Sequence, residues 1–134
     1  MSNGLDILIK NTNIIDGLGG PGFIGNVGIK DKKIAWIGDI DAEADIIIDG
    51  TGLITCPGFI DSHTHADLSI LDHPGAENFI MQGTTSLVGG HCGISTAPVI
   101  DEDFFHMYMS NLGAKTHREW STFDQWLQVV EAKG

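Results

Sequence analysis

Positive charge is the scarcest feature of this sequence. Its 134 residues include seven Lys and Arg against 18 Asp and Glu, which gives a formal net charge of −11. Proteins that bind nucleic acid or anionic membrane surfaces use clustered basic side chains, so this composition argues against both kinds of partner. We interpret the acidity as a surface property that keeps the protein soluble.

Cysteines and long apolar runs are also rare. The two cysteines, Cys56 and Cys92, are too few for a disulfide framework and favour a reducing compartment. The first residues lack the basic and apolar regions of a signal peptide, and no apolar run approaches the roughly 20 residues of a membrane span. We therefore expect a cytoplasmic protein, and the oligomeric state stays open.

Short β-prone runs separated by turns fill the first part of the chain. They occupy residues 5–10, 26–30, 34–38 and 46–49, with Gly-rich or Asp-rich turns between them. A spacing of about ten residues between such runs predicts a small antiparallel sheet or sandwich. We assign residues 1–55 to this small β domain.

The pattern changes to an α/β alternation after Pro57-Gly58. A short apolar strand at Phe59-Ile60, a helix over 74–82 and a β-prone run over 84–88 follow one another. Strand, helix and strand in this order predict a parallel α/β architecture.

Two further helices are predicted, one over 101–112 and one that begins at a cap on Ser121. One strand–helix–strand unit cannot close a sheet, so its edges and helix faces would lack partners. We therefore expect residues 56–134 to be the incomplete start of a larger α/β domain.

The most informative segment is Asp61-Ser62-His63-Thr64-His65. On an extended strand His63 and His65 project to the same side, where two imidazoles can converge on one metal at about 2.0–2.1 Å. Neutral imidazole is a good ligand for zinc and similar metals. Asp61 is placed to orient a ligand ring or a nearby backbone group by a hydrogen bond.

Cys92 lies just beyond the second predicted strand, in the segment His91-Cys92-Gly93-Ile94-Ser95. In parallel α/β barrels the active-site groups gather at the carboxyl ends of the strands, so Cys92 and His65 are expected at the same end of neighbouring strands. A thiolate is a strong ligand for a divalent metal. Spacing alone leaves the alternative of a small buried thiol open.

These motifs resemble the N-acyl-D-amino-acid deacylases (D-aminoacylases) of the amidohydrolase superfamily. The resemblance is most specific from Pro57 to Pro98, through Gln82-Gly83-Thr84-Thr85 and Cys92-Gly93-Ile94-Ser95. It implies a (β/α)8 barrel beside a small β domain, one or two zinc ions, and hydrolysis of the amide bond of small-molecule N-acyl-D-amino acids.

The resemblance also implies roles for individual residues. His63 and His65 ligate one metal position, and Cys92 is a thiolate ligand that can bridge two. Two more histidine ligands, a catalytic Asp and an Arg that binds the substrate carboxylate are expected downstream of Gly134. We therefore expect an N-terminal fragment that is inactive by itself.

The remaining histidines carry weaker signals. His91 stands where the family usually has Asn, and it is either a loop histidine or an additional imidazole near the metal. His73, His106 and His117 lack a partner at metal-binding spacing and are expected to be structural or surface residues.

Two other functions remain open. A cyclic amidohydrolase, such as a hydantoinase or dihydroorotase relative, shares the His-x-His motif but usually bridges its metals with a carboxylated lysine, so Cys92 favours the deacylases. A non-catalytic metal-binding domain would be an ordered, soluble monomer that binds zinc tightly.

Overall fold

The structure is a computed structural model that describes residues 4–113 and 118–134. The chain divides into two compact units, Met1–Pro57 and Gly58–Gly134. Among the described helices, none has both the length and the apolar character needed to cross a membrane. His117, predicted to be a structural or surface residue, lies outside the described residues.

The first unit is built on one five-stranded sheet. Its order is β3-β2-β1-β4, and β5 also pairs with β1. The strands are β1 (Leu5–Ile14), β2 (Phe23–Lys30), β3 (Lys33–Gly38), β4 (Ala44–Asp49) and β5 (Ile54–Thr55). The central strand β1 runs antiparallel to β2 but parallel to β4 and β5.

The predicted antiparallel sheet or sandwich is therefore wrong, because the described residues of this unit form a single mixed sheet. The short runs and turns were predicted correctly, but they do not encode the direction of pairing. The chain leaves β3 at one edge and returns beside β1 at the other, and residues 39–43 make that connection.

The core of the first unit includes one polar side chain. Leu8 and Thr12 are fully buried, and Ile14 and Val27 are nearly so. The Thr12 hydroxyl donates to the carbonyl oxygen of Leu53 at 3.2 Å and lies 2.9 Å from the Thr55 hydroxyl. Buried polar groups are tolerated when they are hydrogen-bonded, so Thr12 ties β1 to the β5 segment without an unpaired group.

The second unit contains the predicted strand–helix–strand alternation. Strands β6 (Phe59–Asp61) and β7 (Thr84–Leu87) pair in parallel, which confirms this local arrangement. The connecting helix α1 (Glu77–Ile80) is shorter than the predicted 74–82. Ala76 is left-handed (φ 46°) and cannot continue a helix towards the N-terminus.

The two longer helices are α2 (Glu102–Asn111) and α3 (Phe123–Lys133). The Asp101 carboxylate caps α2 by accepting a hydrogen bond from the Phe104 backbone N–H at 2.9 Å. Thr122, and not the predicted Ser121, caps α3.

Thr122 is the N-cap residue of α3 because it forms a capping box with Gln125. The Thr122 hydroxyl accepts from the Gln125 backbone N–H at 3.3 Å, and the Gln125 side-chain oxygen accepts from the Thr122 backbone N–H at 3.1 Å. The core beside α3 contains Leu71, Ala97 and Trp120.

Candidate metal centre

The parallel pairing of β6 and β7 brings the carboxyl ends of both strands to one edge. Asp61 and Leu87 form the last registered pair. Beyond them, the Val88 backbone N–H donates to the carbonyl of Asp61 at 2.9 Å, and the Thr64 N–H donates to the carbonyl of Val88 at 3.2 Å. These bonds hold together the two segments that carry the candidate ligands.

His63 and His65 lie beyond the end of β6 rather than on an extended strand. The alternation argument for their common direction is therefore wrong for these positions. The Asp61 carboxylate accepts a hydrogen bond from the His63 backbone N–H at 3.1 Å. Such a bond mimics a backbone turn and redirects the chain after the strand.

The three candidate ligands nevertheless converge. His63, His65 and Cys92 each offer a ligand atom, and these atoms all lie within 4.8 Å of one another. Nε2 of His63 is 3.3 Å from Sγ of Cys92. The His63 and His65 rings meet edge to face, with centroids 5.9 Å apart. Within residues 4–113 and 118–134, no other His, Cys, Asp and Glu group of this kind is found.

The donor set fits zinc. Imidazole nitrogen and thiolate sulfur are the donors that zinc prefers, and three protein ligands is the number found in catalytic zinc sites. His63 and Cys92 are exposed, so an ion can reach them. Nδ1 of His65 is buried and has no hydrogen-bond partner among the described residues. Buried polar atoms normally have a partner, and a metal ion bound at this site would supply one.

A tight left-handed turn presents the Cys92 side chain. Cys92 has φ 57° and Gly93 has φ 72°, and the Ile94 N–H donates to the carbonyl of His91 at 2.8 Å. A left-handed conformation costs a non-glycine residue about 1–2 kcal/mol. Such strained residues are concentrated at functional sites, and here the strained residue supplies the sulfur.

His91 lies against the metal-binding group without joining it. Its ring stacks on the His63 ring with centroids 4.2 Å apart and an interplanar angle of 23°. Nε2 of His91 is buried and has no hydrogen-bond partner among the described residues. The sequence left open a loop histidine or an additional imidazole near the metal, and the structure places this imidazole against His63. The stacking contact itself was not predicted.

The other described histidines lie apart from the three ligands. His106 is an exposed residue of α2 whose Nε2 lies 3.9 Å from a Glu102 carboxylate oxygen. His73 is exposed, and neither residue belongs to a metal-binding group in the described part of the chain. Cys56, the second thiol, is free and exposed.

A cavity of about 350 Å³ adjoins the 3-10 turn Ala66–Leu68. Asp67 and Trp126 line it, and the Asp67 Oδ1 and Trp126 Nε1 atoms are buried without hydrogen-bond partners among the described residues. A cavity of this size can hold water, which would satisfy both atoms. None of the three candidate ligands lines it.

Comparison with curated proteins finds deacylases over most of the chain. N-acyl-D-glutamate deacylase of Alcaligenes xylosoxydans xylosoxydans is 50% identical over 99 residues, covering 73% of this chain and 20% of the relative. D-aminoacylase of the same organism is 43% identical over 99 residues, with the same coverage. A D-hydantoinase of Rhizobium radiobacter is 36% identical over 99 residues. No family model matches the chain.

Solved structures give the same result. N-acyl-D-glutamate deacylase from Bordetella bronchiseptica, complexed with zinc and a phosphonate inhibitor, has a TM-score of 0.82 at 29% identity and covers 98% of this chain and 27% of that one. A D-aminoacylase structure that concerns a binuclear metal centre has a TM-score of 0.75 at 32% identity, covering 94% of this chain and 27% of that one.

The chain thus spans about a fifth to a quarter of the length of the proteins it matches. By sequence and by fold, it is homologous to a segment of the N-acyl-D-amino-acid deacylases, or D-aminoacylases, of the amidohydrolase superfamily.

Proposed function

We propose that this chain supplies part of the zinc site of an amidohydrolase that hydrolyses the amide bond of N-acyl-D-amino acids. The observation that carries the proposal is the convergence of the His63, His65 and Cys92 ligand atoms within 4.8 Å. The identity to deacylases, which is higher than the identity to the hydantoinase over an equal length, supports the substrate class.

His63, His65 and Cys92 would hold the metal through two kinds of ligand atom. The two imidazoles would hold the ion as neutral nitrogen donors, and Cys92 would hold it as a thiolate. When bound, the ion would supply Lewis-acid chemistry for the scissile carbonyl and would lower the pKa of the attacking water towards about 7. Once they hold the metal, the three ligand side chains would move no proton during hydrolysis, and we assign that role to an Asp outside this chain.

We further propose that β6, α1 and β7 are the first units of a (β/α)8 barrel, with residues 56–134 as its start and residues 1–55 as part of a small β domain. The parallel β6–β7 pair supports this assignment. Phe59 and Ile60 of β6 are 59% and 68% exposed, and large apolar side chains on a two-stranded sheet need further elements to cover them. The complete enzyme would be cytoplasmic and act on a small molecule.

Zinc titration of the chain tests the metal site. We expect the unmodified chain to bind zinc. We expect His63→Ala and His65→Ala each to weaken zinc binding by about 100-fold or more, because removing a ligand should cost more affinity than removing a residue that only hydrogen-bonds to a ligand. His106→Ala removes an exposed imidazole from α2 and serves as the matched control. Zinc affinity that is equal in all four proteins would contradict the proposal.

A chimera tests the substrate class. The chain replaces the matching segment of N-acyl-D-glutamate deacylase, and the product is assayed with N-acyl-D-amino acids and with hydantoins. We expect deacylation by the chimera, its loss with His63→Ala, and no activity from the 134-residue chain with zinc alone. Hydrolysis of hydantoins only would favour a cyclic amidohydrolase, and turnover of N-acetyl-D-methionine by the isolated chain would contradict the need for further segments.

A third result would favour the non-catalytic alternative. In that case the chain would bind zinc tightly as an ordered monomer, and a correctly folded chimera would hydrolyse neither substrate class.

A further inference from the structure

We propose that His91 is a positioning residue that holds the His63 imidazole in the orientation needed to bind the metal. The inference rests on the proposed zinc site and assigns a role to a residue outside its three ligands. The observation that carries it is the near-parallel stack of the two rings, with centroids 4.2 Å apart.

An exposed imidazole needs such support. His63 is exposed, and its ring could rotate away from the metal position. Stacking against His91 covers one face of the ring, while Nε2 stays 3.3 Å from the Cys92 sulfur. A ligand that is already oriented loses less conformational freedom when the metal binds, so the affinity for the metal rises.

Hydrogen bonds hold the backbone at both His63 and His91. The Asp61 carboxylate holds the His63 backbone N–H at 3.1 Å. The carbonyl of His91 accepts from the Ile94 N–H at 2.8 Å, which closes the turn that carries Cys92. The same turn therefore carries both the Cys92 sulfur and the His91 ring that stacks on His63.

His91 does not serve as a fourth ligand in this arrangement. Its ligand atoms do not join the group formed by His63, His65 and Cys92. Its Nε2 atom is buried, whereas His63 and Cys92 are exposed. The contact between His91 and the candidate ligands is the stack of its ring on the His63 ring.

Three substitutions at position 91 separate these roles, with zinc and cobalt(II) as probes. His91→Phe keeps an aromatic face and removes both nitrogens, whereas His91→Ala removes the ring and His91→Asn leaves a small amide. We expect the His91→Phe variant to bind zinc within about twofold of the unmodified chain. We expect His91→Ala and His91→Asn each to bind about two- to tenfold more weakly, which is the change in affinity that corresponds to the free energy of one aromatic pair. His106→Ala is the control.

Cobalt(II) absorption provides a readout that a general loss of structure would not reproduce. The thiolate charge-transfer band should persist in His91→Ala at saturating metal, because Cys92 still ligates. In a His63→Ala background, adding His91→Ala should cause no further loss of affinity, because no ring remains to be positioned.

The outcomes distinguish this inference from the proposed function. If the unmodified chain binds neither metal, the zinc site fails and the role of His91 fails with it. If it binds and His91→Ala binds equally well, only the positioning role is overturned. Equal losses in the Phe and Ala variants would also overturn it, because the nitrogen atoms and not the ring face would then matter.

Discussion

The Nε2 atom of His63 lies 3.3 Å from the Sγ atom of Cys92, although the two residues are 29 positions apart in the sequence. Each residue follows the end of one strand of a parallel pair, and the pairing brings those ends together. The site therefore exists only when β6 and β7 are paired. Metal binding should stabilise this unit, because a ligand that binds only the folded state adds its binding free energy to folding.

The sulfur of Cys92 gives the first prediction. Cys92→Ser should lower zinc affinity by about 100-fold or more and abolish the thiolate band of the cobalt(II) complex, because a neutral hydroxyl is a much poorer ligand than a thiolate. Cys56→Ser, which replaces the other free and exposed thiol, should change neither. A thiolate band that survives in Cys92→Ser but disappears in Cys56→Ser would show that the sulfur ligand has been assigned to the wrong residue.

The carboxylate of Asp61 gives the second prediction. It binds the His63 backbone N–H at 3.1 Å, so Asp61→Ala should free that backbone and weaken zinc binding by about tenfold. Asp61→Asn keeps an acceptor oxygen in the same place and should lie between Asp61→Ala and the unmodified chain. Zinc titrations of the three proteins decide the matter, and an Asn variant as weak as the Ala variant would indicate that the charge, not the hydrogen bond, is required.

The candidate site was only partly predictable from the sequence. The spacing of His63 and His65 predicted two converging imidazoles, and the resemblance to the deacylases, rather than spacing, identified Cys92 as the third ligand. The assumed cause was an extended strand, whereas β6 ends at Asp61 and a side-chain hydrogen bond sets the path beyond it. The stack of His91 on His63 depends on the left-handed turn at Cys92, which no periodic pattern encodes.

The fold shows the same division between local and long-range information. Asp101 and Gly113 mark the two ends of α2 because capping depends on residues within one turn. The direction of β4 beside β1 depends on how the chain crosses from one sheet edge to the other, and strand spacing says nothing about that path.

The cap of α3 gives the third prediction. Thr122→Ala should lower the free energy of unfolding by about 1 kcal/mol, because it leaves the Gln125 backbone N–H without its acceptor. Ser121→Ala should stay within about 0.5 kcal/mol, since Ser121 is exposed and the bond that its hydroxyl accepts is a 3.3 Å contact from the Arg118 side chain. Urea unfolding of both variants checks this, and a larger loss from Ser121→Ala would return the cap to the residue that the sequence suggested.

The ion pair between Asp6 and Lys30 contributes to the pH dependence of the first unit. Their side chains are 2.9 Å apart, and the Asp31 N–H donates to the same carboxylate at 2.6 Å. The hydrogen bond from Lys30, followed by that from Asp31, lowers the pKa of Asp6 below its ordinary value of 3.8. The hydrogen bond to Asp6 raises the pKa of Lys30 above its ordinary 10.5.

The signs of these shifts give the fourth prediction. Because the Asp6 pKa is lowered, its stabilising effect is present above pH 3.8 and is lost as the pH falls through the folded-state pKa. Because the Lys30 pKa is raised, its effect is complete below pH 10.5 and is lost as the pH rises through the folded-state pKa. Asp6→Asn should therefore be less stable than the unmodified chain at neutral pH, and the two proteins should converge in acid.

The control for this series is Asp39→Asn, which removes one negative charge from an exposed residue of the same unit. Each variant removes one negative charge from the net charge of −11, so any general relief of repulsion between acidic side chains is equal in the two. Only Asp6→Asn removes the charged carboxylate whose two oxygens accept from Lys30 and Asp31, and only its urea midpoint should lose the acid-side dependence that this carboxylate confers. If Asp39→Asn gave the same pH profile, the dependence would come from overall charge and not from the contact between Asp6 and Lys30.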